Sequence, residues 1–173
     1  TQKWNSDLLQ EHLKTLSLLS SDKNANLIIW PESALPIQQS MLPTLSSQIA
    51  PSLPKNSTLL TGLTDVRSPD IYYNTLAVLD DTAKVIDQYN KHHLVPFGEY
   101  IPFQKLFALT PLNTMGSFTK GSGPQTLSLK NIKISPLICY EVIFPQHSFD
   151  KNNRPDLLVN ITNDGWYLKS TGP

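Results

Sequence analysis

Ile138-Cys139-Tyr140-Glu141-Val142-Ile143-Phe144-Pro145 closes an apolar run that begins at Ile132, and it holds the only cysteine of the chain. Ile132 to Ile138 has the length and the β-branched content of a strand, and Thr126 to Leu129 pairs with it as a hairpin around Lys130-Asn131. Cys139 therefore stands just past a strand end, with an acid two residues on. A thiol in that place can be a nucleophile. It can equally be a packing residue, because an unpaired cysteine behaves as a small hydrophobe and is among the most buried residue types. The choice turns on whether the rest of the chain supplies an activating base or cation.

Outward from this hairpin, the N-terminal side opens with Trp4 to Ser20, where Leu9, Leu13 and Leu16, with Leu8 and Leu19 close by, recur at the spacing of one helix face. Leu27-Ile28-Ile29-Trp30 is an apolar run stopped by Pro31, long enough for a buried strand and too short for a buried helix. Ile37 to Ile49 reads as a second helix. Thr58 to Gly62 and Tyr72 to Asp80 read as strands, the latter turning through Asp80-Asp81-Thr82 into Val85 to Tyr89 as a hairpin. Asn90 to Gly123 is rich in Pro and aromatic residues and resolves into no regular element, and loops of that length are commonly functional. Past Cys139, Phe144 to Lys151 reads as helical and Leu157 to Ile161 as a strand leading to Asn163-Asp164-Gly165-Trp166. Strands interleaved with helices point to an α/β layered domain.

The 173 residues suffice for one domain with a sizeable core, and no internal repeat or interdomain linker divides them. Lys and Arg number 14 and Asp and Glu number 14, a formal net charge of zero, and no basic run leaves an electrostatic footprint for nucleic acid or a polybasic membrane patch. One cysteine makes no internal disulfide. No segment reaches the eighteen or so consecutive apolar residues of a membrane helix. The chain starts at Thr1 and stops at Gly172-Pro173, so both ends read as cut from a longer protein. Four histidines and one cysteine without paired spacing give no metal signature, and no cofactor is implied. Gly121-Ser122-Gly123-Pro124 is a turn or loop without the surroundings of a phosphate-binding motif.

Three ionisable residues follow strand ends: Glu32, Lys91 and Cys139. Side chains leaving neighbouring strand ends converge where α/β sheets commonly build their sites. The chemistry such a set supports is acyl transfer. A free thiol is only a few per cent thiolate at neutral pH, so a base or a cation must raise that fraction. Glu32 can take the proton, and Lys91 can stabilise the thiolate and then the oxyanion of a tetrahedral intermediate, together with the backbone N–H of Tyr140. Each has a plainer reading: an acid in a first helical turn for Glu32, an exposed loop charge for Lys91.

Trp30-Pro31-Glu32-Ser33-Ala34, Tyr89-Asn90-Lys91-His92-His93-Leu94-Val95-Pro96-Phe97-Gly98-Glu99-Tyr100-Ile101-Pro102, Ile138-Cys139-Tyr140-Glu141 and Asn160-Ile161-Thr162-Asn163-Asp164-Gly165-Trp166 together resemble, in order, the motifs of the nitrilase superfamily. The resemblance spans residues 30 to 166. It implies a nitrilase-like αββα sandwich, here truncated at its C-terminal side, with residues 1–173 forming an incomplete carbon-nitrogen hydrolase catalytic domain and a Glu-Lys-Cys triad of Glu32, Lys91 and Cys139. It also implies supporting roles for Glu99, which holds the lysine or assists proton transfer, for Tyr140 beside the nucleophile, and for Glu141 behind it. Trp30 and Trp166 are expected to pack around the site. An isolated chain lacking sandwich elements is expected to expose apolar sheet faces and to be poorly stable.

Within the superfamily, Leu94 to Phe107 resembles the branch that acylates apolipoproteins. That branch takes a fatty acyl chain from a membrane phospholipid and passes it to the α-amino group of the lipid-modified N-terminal cysteine of an apolipoprotein. The implied setting is the bacterial inner membrane, with the catalytic domain on the periplasmic side and the membrane reached through a region not in this chain. Leu94, Val95, Phe97, Tyr100, Ile101, Phe103, Leu106 and Phe107 offer apolar surface suited to a lipid, although packing under a long loop explains the same composition. The alternatives are a soluble nitrilase-like amidase using the same triad with water, and an inactive binding module of the same fold.

Overall fold

The structure, a computed structural model, describes residues 6–100 and 117–166. Helix α1 (Ser6–Leu19) turns Leu9, Leu13 and Leu16 inward, as their spacing predicts. Leu18 and Leu19 face solvent, and the next inward position is Ser20, which is buried. The Ser20 hydroxyl donates to the Leu16 carbonyl and accepts from the Trp30 indole at 2.8 Å, so the end of α1 is tied to the strand that follows. Helix α2 (Leu42–Ile49) is shorter than the span 37–49 that its sequence suggests, because a 3-10 turn (Gln39–Met41) precedes it. Pro43 sits in its first turn, where a missing N–H costs nothing. Leu42, Leu45 and Ile49 are its buried face.

The first sheet has the order β1-β2-β3-β4. Strand β1 (Leu27–Ile29) runs parallel to β2 (Thr58–Ser68), which pairs antiparallel with β3 (Ile71–Leu79), itself antiparallel to β4 (Val85–Asn90). β2 runs six residues beyond Gly62, where the apolar pattern stops. Its polar end is held by the hairpin with β3 and by Arg67, which pairs with Asp65 at 2.9 Å and lies 4.8 Å above the Tyr73 ring. The turn into β4 is organised by Asp80, whose carboxylate accepts from the N–H groups of Thr82 and Lys84.

The second sheet has the order β5-β6-β7. β5 (Leu127–Leu129) and β6 (Ile132–Ile138) form the expected hairpin, and β7 (Leu157–Ile161) lies parallel to β6 on its other side. Pro136 is tolerated in this central strand because β5 begins opposite Ile134 and makes no ladder beside Pro136. The crossover from β6 to β7 is not the helix expected over 144–151. It is built of 3-10 turns, Cys139–Ile143 and Pro145–His147, and a turn in which Asp150 accepts from the N–H of Asn152. Pro145 and the Asp150 turn leave too few residues between them for a regular helix.

Alternation along the strands sorts the core into two layers. Ile28, Leu59, Leu63, Ala77 and Leu79 face α1 and α2. Leu60, Leu76, Val78 and Tyr89 face Leu127, Leu129, Ile134, Ile138, Val159 and Ile161 of the other sheet. Three layers of an αββα sandwich are thus present among the described residues. On the far side of the second sheet Leu158 is 49% exposed.

Candidate active site

Glu32, Lys91 and Cys139 each leave the end of a strand: β1, β4 and β6. Pro31 stops β1, and a tight turn with Ser33 at φ 54° carries Glu32 inward, 8% exposed. That turn lies directly on Gly62, where a Cβ would come within 2.7 Å of the Glu32 Cα, so only glycine lets the backbones meet. One carboxylate oxygen of Glu32 accepts from the Asn74 side-chain amide at 2.9 Å, and the other from the Asn163 backbone N–H at 3.1 Å, past the end of β7.

Lys91 is fully buried, at 1% exposure. Its N–H donates to the Asn74 carbonyl, and its own carbonyl accepts from the Gly121 N–H at 2.9 Å. Its ammonium lies 2.9 and 2.8 Å from the two oxygens of Glu99. Glu99 also accepts from the Val95 N–H and from Asn74, each at 2.9 Å. Asn74 therefore spends both amide hydrogens on two carboxylates and joins Glu32, Glu99 and Lys91 into one network. An ammonium this deeply buried is tolerable only with such a partner.

Cys139 opens its 3-10 turn at φ 55°, a left-handed conformation that is strained for any residue with a Cβ. It is half-buried. The turn is braced by Glu141, which is 1% exposed. One of its oxygens accepts from the backbone N–H groups of His92 and His93, the other from that of Ile138, all at 2.9 Å, and both lie within 2.9 Å of the Tyr89 hydroxyl. Burial pushes the Glu141 carboxyl up, but these hydrogen bonds, from His92, His93, Ile138 and Tyr89, outweigh it and hold the group below the ordinary carboxylate range. Burial first, and then the Glu141 charge, raises the Tyr89 phenol, which stays neutral. One buried anion thus clamps the turn that carries Cys139 to the segment that carries Lys91.

The other expectations fall as follows. Tyr140 follows Cys139 in the turn, with its side chain 42% exposed. Trp30 packs in the layer between the first sheet and the helices, its indole committed to Ser20, rather than around the site. His92 faces Glu141, and His93 stacks on Phe144 with ring centroids 3.8 Å apart. Phe97 is 77% exposed at the tip of a tight turn. Ile101, Phe103, Leu106, Phe107 and the Trp166 side chain lie outside the described residues.

Sequence reasoning missed Asn74, Tyr89 and Asn163 as members of the site. Tyr89 and Asn163 fall inside stretches already singled out. Asn74 offered one signal, an amide in the middle of a mostly apolar and aromatic strand.

Three comparisons place this chain among known proteins. Residues 1–173 match the carbon-nitrogen hydrolase family. Apolipoprotein N-acyltransferases from Rhodopseudomonas palustris, Bradyrhizobium diazoefficiens and Photobacterium profundum are 37%, 39% and 34% identical over 96%, 87% and 93% of the chain. The chain spans about a third of the length of these curated relatives, 34%, 30% and 34% respectively. Among solved structures, an amidase from Nesterenkonia sp. superposes with a TM-score of 0.60 at 20% identity, covering 88% of this chain and 59% of that one. A mutant of the amidase from Nesterenkonia sp. AN1, with acrylamide added at its active site cysteine, superposes with a TM-score of 0.60 at 17% identity, covering 90% and 61%. At such identities the likeness speaks for the fold, which is that of the nitrilase superfamily. With its entire length matched and its strands, layers and strand-end residues arranged in this way, the chain belongs to the carbon-nitrogen hydrolase family.

Proposed function

We propose that this domain is the catalytic part of an apolipoprotein N-acyltransferase, which moves a fatty acyl chain from a phospholipid to the α-amino group of the N-terminal S-diacylglyceryl-cysteine of an apolipoprotein. The observation that carries the reading is the similarity to proteins of that name along nearly the whole chain. The buried Glu32–Asn74–Glu99–Lys91 network supports it, because acyl transfer from an ester requires a base and a fixed cation, and the network holds those two together.

In this mechanism Glu32 removes the thiol proton of Cys139, and the thiolate attacks the ester carbonyl of the donor lipid. The ammonium of Lys91, held by Glu99, and the N–H of Tyr140 stabilise the oxyanion. The intermediate collapses with cleavage of the C–O bond, the lysophospholipid leaves with the proton held on Glu32, and a thioester remains on Cys139. The α-amine of the apolipoprotein then attacks the thioester and loses a proton to Glu32, the C–S bond breaks, and an amide is released. Asn74 keeps Glu32 and Glu99 apart and oriented, while Glu141 holds the nucleophile turn. The covalent adduct at the active site cysteine of the Nesterenkonia amidase supports a nucleophilic Cys139 by analogy of fold. The working place is the bacterial inner membrane, with this domain on the periplasmic side. No helix among the described residues is long and apolar enough to cross a membrane, so the attachment is assigned to a region outside them.

The test is mass spectrometry of the full-length protein after incubation with phospholipid vesicles and a lipopeptide bearing the modified N-terminal cysteine. A fatty-acyl adduct on the Cys139 peptide, absent from Cys139→Ala, and its passage to the lipopeptide are expected. Release of free fatty acid without transfer, or turnover of small amides instead, would favour a hydrolytic amidase.

A further inference from the structure

The strand that delivers Lys91 is weakly placed by its own apolar pattern. β4 is the edge strand of the first sheet, and Tyr89 is its only buried residue. Nor does the hairpin turn at Asp80 set its far end. Leu79 pairs with Val85 but Val78 with Asp87, so a bulge at Ile86 separates the register of the turn from that of the residues beyond it. Register matters here because side chains alternate between the faces of a sheet. A slip of one residue at Lys91 would turn its ammonium away from Glu99, to the helix-facing side, and put Asn90 in its place.

On that helix-facing side, Thr75 and Asn90 stand directly opposite each other in the ladder, one residue from Asn74 and Lys91. Thr75 is fully buried, in a layer to which β3 otherwise contributes Ala77 and Leu79. Its hydroxyl donates to the Asn90 side-chain oxygen at 2.8 Å. Gln88, next on the same face of β4, donates to that oxygen at 3.4 Å and to Asp65 of β2 at 3.2 Å, and accepts from Gln39 at 2.9 Å. The edge strand is thereby tied across β3 to β2 and to the 3-10 turn before α2. A slip would leave the buried Thr75 hydroxyl with only the Tyr73 carbonyl, at 3.4 Å, so the pair is satisfied in one register.

We propose that Thr75 and Asn90 are positioning residues for Lys91: their hydrogen bond fixes the register of β4 past its bulge and so aims the lysine at Glu99. Both lie on the opposite face of the sheet from Asn74 and Lys91, so they act through the backbone and not by contact with substrate. Their share in the reaction rests on the acyl-transfer reading above; the register they hold does not.

The test compares three variants of the full-length protein: Thr75→Val, which keeps the shape and removes the donor, Thr75→Ser, which keeps the hydroxyl, and Asn90→Ala. Asn90 is half-buried on an edge strand, so its variant keeps the fold even if Thr75→Val does not. Cys139 acylation from phospholipid vesicles is followed for its single-turnover rate and its half-saturating lipid concentration. Amide hydrogen exchange is read at residues 89–92 and, for comparison, at 127–134 in the second sheet. Thr75→Val and Asn90→Ala are expected to exchange 89–92 about tenfold faster with 127–134 unchanged, and to acylate about tenfold more slowly at an unchanged half-saturating concentration, the scale of one hydrogen bond. Thr75→Ser is expected to restore both. Exchange that is unchanged at 89–92 or raised equally in both sheets, a normal acylation rate beside faster exchange, or a Thr75→Ser protein as impaired as Thr75→Val would each overturn the proposal. Absence of any acyl-cysteine on the unmutated protein would instead sink the transfer reading alone, because the exchange measurement uses no substrate.

Discussion

The side-chain amide of Asn74 donates at 2.9 Å to Glu32, across 42 residues of sequence, and with its second hydrogen it reaches Glu99 at the same distance. An amide nitrogen is suited to this bridge because it is neutral and offers two donors to two acceptor-only groups. Asn74→Ala is expected to slow acyl transfer about 100-fold, the scale of a misplaced catalytic group, while Cys139 is still acylated slowly. Asn74→Asp is expected to be worse, since it sets a third carboxylate between two others. Single-turnover acylation rates for the two variants decide this, and rates equal to the unmutated protein would remove Asn74 from the site.

Glu141 makes a pH prediction. Its folded value lies below the ordinary 4.5, so its contribution to stability is complete above that pH and disappears as the pH falls through the lower folded value. Glu141→Gln turns an amide donor toward N–H groups that need an acceptor, at a cost of about 2–4 kcal/mol. The stability gap between the two proteins should be widest above pH 4.5 and should close on acidification below it. Urea unfolding followed across that range checks the sign; a gap that widens in acid would contradict the bracing role.

The strained backbone at Cys139 predicts an inversion of the usual glycine penalty. Both Cys139→Ala and Cys139→Gly should be inactive, but the glycine variant should be the more stable by about 1 kcal/mol, because φ 55° is unstrained only without a Cβ. Equal melting temperatures would mean that the turn relaxes once the thiol is gone.

Gly121 predicts a defect in Lys91 without contact to its side chain. A Cβ at Gly121 would fall 2.0 Å from the Asn90 carbonyl oxygen and 3.1 Å from that of Lys91, both rigid backbone atoms. Gly121→Ala should therefore displace the chain at Lys91, costing about 1–3 kcal/mol of stability and lowering the acylation rate more than the affinity for lipid. A Gly123→Ala control meets no atom within 4 Å, although its φ of 132° adds backbone strain of its own. Comparing melting temperature and rate in the two variants separates strain from displacement.

Much of this protein was decided by short-range pattern. Alternating apolar residues with turn residues at Asp80 and at Lys130-Asn131 determined the hairpins, and Pro31 after Leu27–Ile29 determined that Glu32 leaves a strand end. Those signals are local, since they come from side-chain period and backbone restriction, and so Glu32, Lys91 and Cys139 were legible as strand-end residues. The same local logic failed where long-range contacts overrode it. β2 outran its apolar pattern because β3 paired with it, and the stretch after Phe144 made 3-10 turns instead of a helix. Only the tertiary structure decided how the site is held. Asn163 reaches Glu32 from 131 residues away, Tyr89 reaches Glu141 from 52, and Gly121 lies against the backbone of Lys91. Hydrogen bonds and close backbone approaches between residues so distant in the chain leave no periodicity behind them, because their geometry exists only once two sheets have packed.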